Sequence, residues 1–121
     1  REAGAPRAEI GVFDLAEQTA AQRVIDAALA ALERIDVLVN NAGIRVRKPF
    51  GAFTAGDFEL GMAVNLRAPF MLSQAVLPVM RGQGGGRIIH IASQLGSVAT
   101  PGSALYGLSK AALIHLTRSM A

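Results

Sequence analysis

Tyr106 and Lys110 stand four residues apart in a stretch that reads as helix, so both side chains fall on one helical face. A phenol with a pKa near ~10 is a poor base at neutral pH. An ammonium about 4 Å away would stabilise the phenolate by roughly 4 kcal/mol at an effective dielectric of ~20. At ~1.36 kcal/mol per pKa unit, the phenol would fall by up to ~3 units before burial pulls it back. Such a pair can serve as general acid and base. The same spacing also describes an amphipathic helix with an interfacial tyrosine and a lysine whose stem lies along apolar surface.

Ser93 lies thirteen residues before Tyr106, directly after an aliphatic run. A hydroxyl there can donate to a carbonyl oxygen and stabilise developing negative charge; it can equally be a turn or cap serine. Asn65 falls inside a long helical stretch, four residues before Pro69, which has no N–H to give to the Asn65 carbonyl. That carbonyl is expected to be free to hold a water leading to Lys110, or else to mark a solvent-covered kink. His90 alternates with Ile89 and Ile91 and reads as a packed core histidine. His115 has no evident partner.

The elements that must position these groups alternate. Glu9 to Phe13 is a short apolar run with Asp14 at its C-terminal tip. Glu17 to Arg34 carries Val24, Ile25, Ala28, Leu29 and Leu32 at helical spacing. Asp36 to Val39 reads as a buried strand and is followed by the polar turn Asn40, Asn41, Ala42, Gly43. A helix opened by Thr54 to Asp57 runs to about Met80 and ends at Gly82 to Gly86. Arg87 to Ala92 is the third strand, and the last helix starts near Ala104. Three strands alternating with three helices predict α/β layers on a parallel sheet. In such sheets ligands bind beyond the carboxyl ends of the strands, where Asp14, Asn40 to Gly43 and Ser93 are all expected.

The composition permits this: 121 residues form one modest domain, and 51% hydrophobic against 17% charged residues calls for a packed core. Without cysteine, thiolate metal sites and cysteine nucleophiles are excluded; no metal site is expected, and a reducing cytoplasm fits. The net charge of +3 is scattered, with only Arg45, Arg47 and Lys48 clustered. That cluster is taken as a solvated loop, not a nucleic-acid surface, which needs a broader basic stripe or a reading motif. No run approaches the ~18 apolar residues of a membrane span, and residues 1–7 lack a signal-peptide layout. The first residue is not Met and Leu113 to Ala121 read as open helix, so residues 1–121 are expected to be a domain cut at both ends.

Together these residues resemble the compact short-chain dehydrogenase/reductases. The resemblance rests on Asn40-Asn41-Ala42-Gly43 after a strand, Asn65 between Val64 and Leu66, Ser93 after Ile91-Ala92, and Tyr106-Gly107-Leu108-Ser109-Lys110. It implies a Rossmann-like, doubly wound parallel sheet, here partial. It also implies hydride transfer between NAD or NADP and a carbonyl/alcohol substrate, with Tyr106 as acid/base. By the same resemblance Lys110 lowers the Tyr106 pKa and bonds the nicotinamide ribose, Ser93 positions the substrate oxygen, and Asn65 completes a proton relay. Asp14 and Leu15 match the position that contacts adenine, and Asn40 to Gly43 match the segment lining the cofactor. Gln94 opens the loop 94–103 bordering the substrate. The nearest flavour is that of 3-oxoacyl-carrier-protein reductases and polyol or sugar dehydrogenases. A homo-oligomer, tetramer or dimer, pairing helices 57–80 and 104–121 is implied too.

The glycine-rich turn that meets the pyrophosphate in the family, and the residue choosing NAD or NADP, are absent from these residues. In the family's sheet order the run ending at Asp14 is separated from Asp36 to Val39 by two further strands. The 121 residues alone are therefore expected to fold poorly and bind nucleotide weakly. Two other readings remain: a non-catalytic Rossmann-like nucleotide-binding or regulatory protein, and an extended-family epimerase or dehydratase.

Overall fold

A computed structural model describes Gly4 and residues 7–121, so most of the 1–7 segment lies outside the described residues. Helix α1 spans Ala20–Leu32 and stops where Glu33 turns left-handed at φ 68°. Strand β1 is Val37–Asn40 and β2 is Arg87–His90; they pair in parallel, Val37 opposite Arg87 and Asn40 opposite His90. Between them runs one long helical rod: α2 (Ala55–Met62), a π turn (Ala63–Arg67) and α3 (Ala68–Gly82). Helix α4 is Ala104–Met120.

The predicted alternation holds from Ala20 onward, and the helix and strand boundaries shift by only a few residues. Glu9 to Phe13 is different. It forms no strand, and Ile10 and Val12 are 95% and 90% exposed. A strand exists only by pairing, and no described strand lies beside this run to satisfy its backbone. The described sheet accordingly has two strands, not three. Asp14 stands in a turn instead of at a strand tip: its Oδ1 accepts the Ala16 N–H at 2.8 Å, and its carbonyl accepts from Glu17.

The core lies between α1, α3 and one face of the sheet. Ile25, Leu72, Val76 and Met80 are buried there with Ala21 and Ile35, while Leu38 and Ile88 pack against them. Alternation along a strand turns Val37, Val39, Ile89 and Ile91 the other way, and all four are about half exposed. The two-sided burial expected of these aliphatic strands is thus met on one face, because no described element covers the other. Gln83 anchors the entrance to β1 through both its amide groups, accepting from Ile35 N–H at 3.1 Å and donating to Ile35 C=O at 2.9 Å.

The rod opens with a full capping box. Thr54 Oγ1 accepts from the Asp57 N–H at 3.1 Å, and Asp57 Oδ2 accepts the Thr54 N–H at 2.8 Å. Its middle widens where Pro69 withholds an N–H from the Asn65 carbonyl. The Ala68 N–H reaches back five residues to Ala63, which gives a π turn instead of a sharp kink. No helix among the described residues is long and apolar enough to cross a membrane. No group of His, Cys, Asp and Glu among them is arranged to hold a metal ion.

Candidate active site

The π turn carries Asn65 inward, where it is 2% exposed. Its Oδ1 accepts the Ile44 N–H at 2.8 Å and its Nδ2 donates to the Ile44 carbonyl at 2.8 Å. One amide side chain thereby holds both backbone groups of the residue after Gly43, fixing the segment that leaves β1. Nδ2 also donates to Ser109 Oγ at 3.1 Å, and Ser109 Oγ donates to the Tyr106 carbonyl at 2.8 Å. The rod, the β1 exit and α4 are joined through Asn65 and Ser109.

Lys110 is 3% exposed and its Nζ donates to the Ile91 carbonyl at 2.7 Å, just past β2. Nζ stands 5.7 Å from the centre of the Tyr106 ring, so the pair expected from spacing shares one face and close surroundings. Burial lowers the Lys110 pKa from its ordinary 10.5, because the ammonium leaves water for a single carbonyl partner. Gly43 lies between the two polar groups: a Cβ there would stand 3.4 Å from Asn65 Oδ1 and 3.6 Å from Lys110 Nζ. Tyr106 is half-buried at the mouth of this arrangement.

Ser93 caps the short 3-10 turn Gln94–Gly96, its Oγ accepting the Leu95 N–H at 3.2 Å. That bond takes a lone pair and leaves the O–H donor, so the turn role and a substrate role are compatible. The turn is pressed onto α4. A Cβ on Gly96 would fall 2.9 Å from the Ala111 nitrogen and the Lys110 carbonyl carbon, and one on Gly107 would fall 2.8 Å from the Leu95 carbonyl oxygen. Those neighbours are helix and turn backbone and have little room to move. Gly96→Ala is therefore expected to cost about 1–3 kcal/mol and to shift Ser93 relative to Tyr106. Denaturant midpoints measure the first effect, and turnover falling more than cofactor affinity measures the second.

The other expected site residues are placed as follows. Asn41, Ala42 and Gly43 are exposed at the carboxyl end of β1, whereas Asn40 turns inward, 8% exposed. Asn40 Nδ2 donates to His90 Nδ1 at 3.2 Å and approaches Ser73 Oγ at 3.5 Å, a link from sheet to helix. Burial pushes the His90 pKa below the ordinary 6.5, because the charged imidazolium would lose water there. Leu15 packs against the core cluster beside α1, and Gln94 is exposed at the start of its turn. Sequence reasoning missed Ser109 and Ser103, both buried on α4 and its approach. Small polar residues amid the apolar positions of a helix were the available signal.

The loop after β1 is tied to the loop before α4. Lys48 N–H donates to the Gly102 carbonyl at 3.2 Å, and Arg45 Nη2 donates to Ser103 Oγ at 2.8 Å. Lys48 Nζ meets Asp57 Oδ2 at 2.5 Å. With Lys48 and the backbone and hydroxyl of Thr54 all donating to it, the Asp57 carboxyl is held down at about 2.

Along its whole length the chain is similar to known proteins. The chain is 41% identical over 124 residues to the gluconate 5-dehydrogenase of Gluconobacter oxydans, covering 99% of this chain and 47% of that one. Among solved structures it is similar to a gluconate 5-dehydrogenase from Burkholderia cenocepacia in complex with NADP and tartrate. That match has TM-score 0.83 and 42% identity, over 90% of this chain and 43% of that one. A short-chain dehydrogenase from Streptomyces avermitilis superposes with TM-score 0.90 at 32% identity, over 99% and 44% of the two chains. The chain thus spans about half the length of the relatives it matches. The profile of the family described as short chain dehydrogenase matches residues 1–121, and with it the chain belongs to that family.

Proposed function

We propose that the complete protein carrying this chain is an NAD(P)-dependent oxidoreductase that interconverts a carbonyl and a secondary alcohol, residues 1–121 forming part of its single nucleotide-binding domain. The observation that carries this reading is the buried Lys110 ammonium beside the Tyr106 ring, with Asn65 across Gly43 from it. When bound, the nicotinamide cofactor supplies or accepts the hydride. The residues present fit one end of it. Lys110 uses one N–H on Ile91 and keeps two for a ribose, and the exposed edge at Asn41 to Gly43 lies alongside. Asp14 and Leu15 are assigned to its adenine end by family position.

In the reducing direction Tyr106 donates its phenolic proton to the carbonyl oxygen, and the Ser93 hydroxyl holds that oxygen by a second hydrogen bond. Lys110 steadies the phenolate left behind. Asn65, through its carbonyl, holds the water that returns a proton toward Lys110. Gln94 and the loop that follows border the substrate.

Two assignments beyond the chemistry accompany this. An open apolar groove lined by Phe58, Met62, Leu66, Phe70 and Leu116 runs between the rod and α4, and we assign it to pairing of subunits in a homodimer or tetramer. A chain without cysteine suits the reducing cytoplasm.

The test is the complete protein incubated with NADH or NADPH and a panel of ketones, aldehydes and ketoses, following reduced-nicotinamide absorbance. Consumption that depends on both carbonyl and protein is expected. Tight nicotinamide binding without consumption would favour a non-catalytic nucleotide-binding protein.

A further inference from the structure

Arg45 follows Ile44, whose two backbone groups are clamped by Asn65, so its starting point is fixed. Its side chain is held twice more. Nη2 donates to Ser103 Oγ at 2.8 Å, Ser103 being 3% exposed, and Cζ stands 5.5 Å from the centre of the Tyr106 ring. This guanidinium therefore lies over the residue assigned to proton transfer.

Exposed to solvent, it has no carboxylate partner among the described residues. Ion pairs among the described residues join Arg7 to Glu9, Arg23 to Glu17, Arg34 to Asp36 and Lys48 to Asp57, and none involves Arg45. The contrast with Lys48, three residues on, is telling. Lys48 is neutralised by a carboxylate of its own fold, while the exposed Arg45 contacts only a neutral hydroxyl and a neutral ring among the described residues. Of five guanidinium N–H donors one is used on Ser103, and the planar fork is shaped for a carboxylate. With Lys110 on the same ring, two cations and, among the described residues, no acidic partner flank Tyr106, a potential that attracts anions.

We propose that Arg45 binds a carboxylate of the substrate, which makes the substrate class oxo acids and hydroxy acids. The inference rests on the assignment of Tyr106 given under Proposed function. The reacting carbonyl sits at Tyr106 and Ser93, and the carboxylate, farther along the same molecule, takes the bidentate face of Arg45. Ser103 is the positioning residue that holds the guanidinium over the ring.

The complete protein is assayed with two matched pairs: 5-keto-D-gluconate against L-sorbose, which carries a hydroxymethyl group in place of the carboxylate, and acetoacetate against acetoacetamide. Wild type is expected to favour the acid of at least one pair. Arg45→Met is expected to lower that acid-over-neutral preference about 10- to 100-fold, the loss of a charge-assisted contact, mainly through KM. Ser103→Ala keeps the guanidinium and is expected to lose only part of the preference. Three results would overturn the assignment: turnover confined to neutral carbonyls, a preference unmoved in Arg45→Met, or equal losses on both members of a pair. Failure of every compound here and in the wider carbonyl panel to consume nicotinamide counts against the oxidoreductase reading itself.

Discussion

Tyr106→Phe in the complete protein is expected to lower turnover by about two to four orders of magnitude, the range for removing a positioned general acid. The substitution is informative because of what it leaves in place. The ring packs over Arg45 and Lys110 with centre distances of 5.5 and 5.7 Å, and a phenylalanine ring keeps those cation–ring contacts. Ser109 holds Tyr106 by its backbone carbonyl, which the change does not touch. Only the O–H is lost. Stability and nicotinamide affinity should therefore stay near wild type while kcat collapses, as read by denaturant melts, fluorescence titration of NAD(P)H and steady-state absorbance. A variant retaining more than a tenth of wild-type turnover would remove Tyr106 from proton transfer and leave the pair as an ordinary helix face.

Much of this was legible in the sequence, and the exceptions have physical causes. Local pattern carries helix periodicity and the aliphatic strands Val37–Asn40 and Arg87–His90, because burial of one face patterns a helix and burial of both faces patterns a parallel strand. Glu9 to Phe13 has the same local pattern and no strand, since pairing depends on a partner that no local window reports. Asn40 was expected at the cofactor edge, yet period-two alternation places it on the face of Leu38, which packs on the core. Its inward turn toward His90 and Ser73 could have been read from that rule. The π turn was half legible: Pro69 signalled a carbonyl without its helical donor but not how the helix would accommodate it. Arg45 carried no signal, because an irregular loop has no periodicity to say which of Arg45, Arg47 and Lys48 turns toward Tyr106.

Asn65→Leu separates the clamp seen in the structure from the relay proposed for the same residue. As a clamp, Asn65 satisfies the N–H and C=O of Ile44 and the hydroxyl of Ser109 in a site 2% exposed. Leucine fills similar volume and offers no partner, so both Ile44 backbone groups lose theirs and Ser109 Oγ keeps only its bond to the Tyr106 carbonyl, at a cost of about 2–5 kcal/mol. In the relay proposed for it, Asn65 would act through its backbone carbonyl, to which Pro69 offers no N–H, and that carbonyl survives the substitution. A pure relay defect is thus better made at the backbone than at the side chain. Turnover of Asn65→Leu is nonetheless expected to fall at least about a hundredfold, since displacement of a reacting group by about 1 Å can cost that much. Loss of the Ile44 clamp would move Gly43 and Arg45 relative to Lys110 and Tyr106. Asn65→Asp keeps an acceptor for the Ile44 N–H and loses both Nδ2 donations, so its turnover should lie between Leu and wild type. Pro69→Ala tests the carbonyl itself. That change returns a helical N–H to the Asn65 carbonyl and keeps the Asn65 amide available to Ile44. If it alters the pH profile of kcat with little change in stability, the carbonyl carries the proton path. A Pro69→Ala enzyme with wild-type kcat at every pH would instead assign the whole effect of Asn65 to positioning.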